Sequence, residues 1–307
     1  MSLLVVGSVA LDSIETPFGT ATEVVGGAAT FFAASASNHT PVRLVGVVGD
    51  DYPTDRLAPL AARGVDFAGL ERARGESFRW RGRYGHDLSV AETLETRLGV
   101  FADFQPRVPA EFRSSKYVFL ANIDPRLQLA VLSQVDNPAF VACDTMNYWI
   151  ESRRADLLAL FAHVDMVTLN EGEARQLTGS PNLVVAARWI LDKGPRHVII
   201  KKGEHGALLF TRESVFFAPA YPLEQIFDPT GAGDSFAGGL MGWLAHTDDL
   251  SEPNLRRAVI CGSAMGSFAV EAFSIDRLVR LAPADIQRRV AEFRALVAFD
   301  GMLEDGA

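Results

Sequence analysis

From about residue 110 onward, short apolar runs alternate with helical segments, and this alternation constrains the fold more than any other feature of the chain. Residues 117–121 (Tyr-Val-Phe-Leu-Ala) read as a strand. Asp124-Pro125 then supplies an N-cap and a proline at the first helical position. Strands follow at 140–143, 166–169 and 198–200, separated by helices at 153–161, 171–177 and 183–191. Such alternation predicts a mostly parallel sheet with helices on both faces. Residues 3–6 and 42–48 read as two more buried strands, with a small-residue helix at 30–37 between them. Helices at 255–271 and 283–298 close the chain.

One stretch breaks this pattern. Phe78, Trp80 and Tyr84 share one parity, while Arg79, Arg81 and Arg83 share the other. Period-two alternation predicts a half-exposed strand, and residues 89–100 continue in that style. Residues 12–23 are short and Gly/Pro/Thr-bearing, so they suit the same sheet. The expectation is one domain, 1–307, with a small β lid built from inserted segments at about 12–24 and 75–101. The arginine row reads as a solvated strand face or as a contact for an anionic substrate.

Composition narrows the function. The formal net charge of −9 argues against a non-specific nucleic-acid binder. The longest uncharged stretch, 24–42, is rich in Gly, Ala and Ser, so no membrane span is expected. The start of the chain lacks a basic n-region, so no secretory signal is expected either. Cys143 and Cys261 lie far apart in apolar runs, which excludes a CxxC motif and suits a reducing cytoplasm.

Residues 228–236 read Asp-Pro-Thr-Gly-Ala-Gly-Asp-Ser-Phe, and Phe236, Leu240, Trp243 and Leu244 follow at helical spacing. Gly231-Ala232-Gly233 therefore feeds a helix N-terminus, where glycines permit close approach and free N–H groups attract an anion. Asp234 sits beside that pocket. A carboxylate there can take a proton from a substrate hydroxyl while the amides hold a transferring phosphoryl group. On the residues alone, Asp234 as a helix N-cap with the glycines as a turn is the commoner reading. No G-x-x-x-x-G-K-[ST] occurs, and Phe236 stands where G-x-G-x-x-G needs its third glycine. Several strands also end in a polar residue, namely Asn122, Asp144, Asn170 and Lys201. Ligands of open α/β sheets bind at such ends, although strand ends are also simply where polar residues begin.

The chain resembles the ribokinase-like (PfkB) family of carbohydrate and nucleoside kinases. Residues 228–234 are similar to its C-terminal signature. Gly7-Ser8 with Asp12 resembles the first strand and its substrate-hydroxyl aspartate. Gly26-Gly27-Ala28 resembles the di-glycine substrate loop, residues 46–51 the G-x-x-G-x-D segment, and Asn170-Glu171-Gly172-Glu173 the N-x-x-E motif. The five matches lie in the family's order between residue 3 and about 270. Phe31 departs from the asparagine of the family's sugar loop. Pro53-Thr54 replace a glycine, and Asp144-Thr145-Met146-Asn147 matches a D-x-N strand end only loosely.

The resemblance implies a three-layer α/β/α sandwich with a mostly parallel central sheet and a β lid. It implies ATP as donor and Mg²⁺, and leaves room for a monovalent cation. Asp234 would be the base, and the amides of Gly231, Ala232 and Gly233 the anion hole. Asp12, Gly26, Gly27, Phe31 and Asn122 would meet the acceptor. Asn170, Lys201, Gly203, Thr230 and Ser263 would lie along the nucleotide, with Glu173 reaching the metal through water. Asn170 and Glu173 also have capping-box spacing. The expected activity is phosphorylation of a primary alcohol on a small sugar or sugar derivative. A nucleoside is the alternative acceptor, favoured by Phe31, and a non-catalytic nucleotide- or sugar-binding regulator is a further one. An exposed lid strand would offer an edge for a homodimer.

Overall fold

The computed structural model describes residues 2–88 and 90–298. In chain order, β1 (Leu3–Val6) leads into a hairpin of β2 (Ala10–Thr16) and β3 (Gly19–Gly26), then α1 (Ala28–Ala36) and β4 (Val42–Val48). The short α2 (Ala58–Ala61), β5 (Val65–Arg72) and a second hairpin of β6 (Phe78–Tyr84) and β7 (Ala91–Arg97) follow. From β8 (Tyr117–Leu120) the alternation sets in: α3 (Pro125–Leu132), β9 (Phe140–Asp144), α4 (Asn147–Ser152), α5 (Arg154–Phe161) and β10 (Met166–Asn170). It continues through α6 (Glu171–Thr178), α7 (Leu183–Leu191) and β11 (His197–Lys201). A hairpin of β12 (Ala207–Phe210) and β13 (Val215–Ala218) precedes α8 (Ala232–Thr247), α9 (Glu252–Ala269) and α10 (Pro283–Val297).

Nine strands form the main sheet in the order β13-β12-β11-β10-β9-β8-β1-β4-β5. It is parallel from β11 to β5 and antiparallel only at the β12–β13 edge. Alternate residues feed two cores. Leu3, Val5 and Phe119 pack with α1, α8 and α9 on one face. Leu4, Val6 and Leu120 pack with α3, α5 and α7 on the other. Burial on both faces explains why these strands read as unbroken apolar runs. The expected α/β/α sandwich is therefore present.

The chain leaves β1 toward α1 on one face and β8 toward α3 on the other. Between them, at the carboxyl ends, lies the switch-point crevice where open sheets bind ligands. Above it sits a four-stranded sheet, β3-β2-β6-β7, in which only β2 and β6 run parallel. The strand expected from residue 89 begins at Ala91, and residue 89 lies outside the described residues. The arginine row is ion-paired on this sheet: Arg79 with Glu23 at 2.8 Å and Asp51 at 2.7 Å, and Arg81 and Arg83 with Glu15 at 2.6 and 2.9 Å. No helix among the described residues is long and apolar enough to cross a membrane.

Helix α8 carries the Gly-Ala-Gly-Asp segment, and its position depends on close packing against α1. A Cβ on Gly238 would lie 2.3 Å from the Phe32 carbonyl oxygen and 2.8 Å from Ser35 Cβ. Backbone cannot yield as a side-chain tip can, so overpacking here should cost about 1–3 kcal/mol. Gly238→Ala is expected to lower the unfolding free energy by that amount, read as a lower urea midpoint. A midpoint equal to wild type would show that the helices do not need this approach.

Candidate active site

Gly231 enters α8 in the left-handed region, at φ 72°. Its Cα rests on the ring of Phe31, where a Cβ would lie 2.2 Å from Cγ. Glycine alone meets both conditions. The Ala232 amide donates to the Pro229 carbonyl at 3.2 Å and the Ser235 amide to the Gly231 carbonyl at 2.8 Å. The Gly233 amide takes no backbone acceptor among the described residues, as expected in a first helical turn. Asp228, 1% exposed, steadies the loop by accepting the Thr230 amide at 2.9 Å.

Three strand ends bring charge to this helix start. Lys201, ending β11, reaches Asp144, ending β9, at 2.8 Å, with side chains 16% and 6% exposed. The Lys201 ammonium also lies 3.0 Å from where a Cβ on Gly233 would stand. Asn170 caps α6 in a closed capping box: its side chain accepts the Glu173 amide at 2.8 Å, and Glu173 accepts the Asn170 amide at 2.7 Å. Buried Glu173 is thus fixed beside the pair.

The electrostatics follow from burial. Desolvation, reinforced by Asp144, pushes the Asp234 carboxyl up to about 7, with Lys201 holding it down. The Glu173 carboxyl is raised for the same reasons, against Lys201 and the Asn170 amide. Burial disfavours the Lys201 charge, but Asp144, Glu173 and Asp234 outweigh it and keep the ammonium protonated.

The opposite wall comes from the small sheet. Asp12 on β2 is 4% exposed, and its Oδ2 lies 2.0 Å from where a Cβ on Gly26 would stand. Burial pushes its carboxyl up to about 7, opposed by the Gly27 amide and aided by Asp228 and Asp234. Gly27, at φ 93°, turns the chain into α1 with no room for a Cβ beside the Ser8 carbonyl. Tyr84 on β6 accepts a hydrogen bond from Thr230 Oγ1 at 3.2 Å, which ties this sheet to the 228–234 segment.

The sequence-selected residues divide accordingly. Asp234, Gly231, Gly233, Thr230, Lys201, Glu173 and Asp12 converge electrostatically or by direct contact. Ala232 belongs to the turn, but its amide is engaged. Phe31, 2% exposed, forms the floor under Gly231. Asn122 accepts from Trp149 Nε1 at 3.0 Å and lies 3.1 Å from Met146 Sδ, above the end of β8. Gly203 is exposed, and a Cβ there would meet nothing within 4 Å. Ser263 is half-buried on α9, beside Gly262, which abuts the Phe236 carbonyl. Sequence reasoning missed the partnership of Asp144 with Lys201, and Tyr84. Their signals were the strand-end polar residues and the aromatic parity of β6.

Known proteins resemble this chain in sequence and in fold. Residues 2–277 match the model of the pfkB family carbohydrate kinases. A cytidine kinase of Thermococcus kodakarensis is 32% identical over 257 residues, covering 82% of this chain and 91% of that one. Among solved structures, the nucleoside kinase of Methanocaldococcus jannaschii superposes with TM-score 0.74 at 20% identity, over 95% of this chain and 98% of the other. A Vibrio cholerae fructokinase reaches 0.77 at 21% identity, over 94% and 98%. At these identities the two structures establish the fold.

Breaking a buried ion pair from one side leaves an uncompensated charge, at a cost of about 3–5 kcal/mol. Lys201→Met is expected to lose stability on that scale by urea unfolding. Lys201→Met with Asp144→Asn should recover most of it. If the single and double variants were equally stable, the pair would not be coupled.

Proposed function

The chain belongs to the pfkB family of carbohydrate kinases and is an ATP-dependent phosphotransferase; we propose that its acceptor is the primary 5′-hydroxyl of a nucleoside. Asp234 carries the reading, because its carboxylate stands at the start of α8 beside the Gly231–Gly233 turn. As base it takes the proton of the acceptor hydroxyl as that oxygen attacks the γ-phosphorus. The Gly233 amide and the Lys201 ammonium lie where negative charge on the transferring phosphoryl group would be met. Asp12, with the Gly26–Gly27 turn, would hold vicinal hydroxyls of the ribose.

Two observations favour a nucleoside over a free sugar. The cytidine kinase resemblance spans most of both chains. Trp80 pairs with Asp12 in the β2–β6 register and Tyr84 bonds Thr230, so these strands would offer aromatic surface to a base. A small sugar is the second reading, since Asp12 would grip vicinal hydroxyls whether or not a base is attached.

Among the described residues, no three His, Cys, Asp or Glu side chains are grouped to hold a metal by themselves. That suits Mg²⁺, which binds through one or two carboxylates plus substrate phosphates. Asp144 and Glu173 are the carboxylates at hand, and the metal would neutralise charge on the phosphates.

ADP release measured against cytidine, other nucleosides, ribose and fructose is expected to give the highest kcat/KM on a nucleoside. Turnover of a sugar with none of any nucleoside would move the acceptor to the second reading. With the base titrating near 7 in the free enzyme, kcat/KM should rise with pH through about 7 as Asp234 loses its proton. Asp234→Asn should lower kcat by roughly 10² or more while ATP still binds. Unchanged kcat would remove the carboxylate from the chemistry.

A further inference from the structure

Resting on the kinase reading above, we propose that Tyr52 and Tyr84 are acceptor-binding residues, whose hydroxyls hydrogen-bond polar groups of a substrate held at Asp12.

Tyr52 lies in the turn Gly49-Asp50-Asp51-Tyr52 after β4 and is 3% exposed. Its hydroxyl is fully buried and has no hydrogen-bond partner among the described residues. An unmade hydrogen bond of this kind costs free energy that a phenylalanine of the same shape would avoid. The turn leaves the ring little freedom to escape. Asp51 accepts from the Ser77 amide at 2.8 Å and its hydroxyl at 2.7 Å, and also pairs with Arg79. Tyr52 packs in the same core as Leu11 and Val25, the chain neighbours of Asp12 and Gly26, and after burial itself Asp12 is the group that most disfavours its ionisation.

Tyr84 approaches from β6. Its oxygen accepts from Thr230 Oγ1, so its own proton is left to donate. Burial raises the phenol to about 12, with Asp228, Asp12 and Asp234 adding to the rise and Thr230 opposing it. The phenol thus meets the segment that leads to Asp234 from a strand paired with the one that carries Asp12. Asp12 accepts hydrogen bonds, while the two tyrosines donate them. This set matches a polyhydroxylated acceptor that donates hydrogen bonds to the carboxylate and offers ring or hydroxyl oxygens to the phenols.

The test compares Tyr52→Phe and Tyr84→Phe with wild type in three measurements: acceptor KM, ATP KM and the ligand-free thermal midpoint. We expect acceptor KM to rise roughly tenfold in each variant, with ATP KM unchanged. Tyr52→Phe should melt no lower than wild type, because the unpaired hydroxyl is gone. Unchanged acceptor KM in both variants would overturn the assignment. So would acceptor and ATP KM rising together with a lower midpoint, which marks a structural role. A change in one variant alone would strike the other tyrosine from the pocket. If wild type transfers phosphate to no nucleoside or sugar, the acceptor reading fails separately. The tyrosines would then be judged by the thermal shift that cytidine or ribose produces, and equal or absent shifts in wild type and variants would count against them.

Discussion

Lys201 sits among the carboxylates of Asp144, Glu173 and Asp234, and burial ties their charges together. Water would screen such charges almost completely, whereas near a protein interior they interact at several kcal/mol. Burial, reinforced by the Asp144 charge, makes Glu173 and Asp234 hold protons more tightly than free carboxylates do. A bare polyanion would meet repulsion here. A nucleotide whose phosphates are neutralised by a divalent cation would not. Burial first and Asp144 second lift the Asp234 carboxyl, which suits the role of base proposed for it. Stability and reactivity thus draw on one arrangement. The ion pair with Asp144 keeps Lys201 buried, and Lys201 in turn keeps Asp234 from rising further.

Position comes from packing rather than charge. Lys201, Asp144 and Asn170 end neighbouring parallel strands, so the sheet spaces them without any help from loops. Asp234 arrives from a helix on one face, and its placement is settled by how closely α8 lies on α1. Phe32 stacks on Phe119 of β8 with ring centroids 4.4 Å apart, which fixes α1 to the sheet. Gly238 then lets α8 approach α1, and Gly231 rests on Phe31. The chain of contacts from sheet to base therefore runs through two adjacent phenylalanines. Phe31 and Phe32 act as spacers whose size sets the height of the Asp234 turn.

Much of this was legible in the residues. The parallel sheet announced itself because strands buried on both faces are continuously apolar. The 228–234 segment stood out because glycine, aspartate and a helical face occur in one short run. Asn170 and Glu173 show their capping-box spacing directly, and the structure has that box closed. Other features left little trace. β5 has the sequence Val-Asp-Phe-Ala-Gly-Leu-Glu-Arg, an edge strand too polar to read as core. β12 and β13 are four residues each, too short for periodicity to register. Tyr52 looked like any aromatic in a turn. That its hydroxyl is buried near Asp12 depends on residues 40 positions apart, which no local pattern encodes.

The small sheet is bonded to the same segments that carry the transfer chemistry. Thr16, near the tip of its first hairpin, donates to the Phe227 carbonyl at 2.9 Å. Ser274 donates through its hydroxyl to the Val25 carbonyl, while its amide leans on Asp228 at 3.4 Å. Tyr84 adds the contact to Thr230. Residues 227 and 230 are thus engaged directly by the two hairpins, and Asp228 through Ser274, immediately before the Gly231 turn. An acceptor seated on Asp12 would press on β2, and β2 is the strand that ends at Thr16. The strand that carries Asp12 is therefore tied by a hydrogen bond to the segment that leads into the Asp234 turn. Under the proposed function, water alone would not reproduce the contacts of a well-fitting acceptor, a physical means of favouring transfer to an alcohol over hydrolysis.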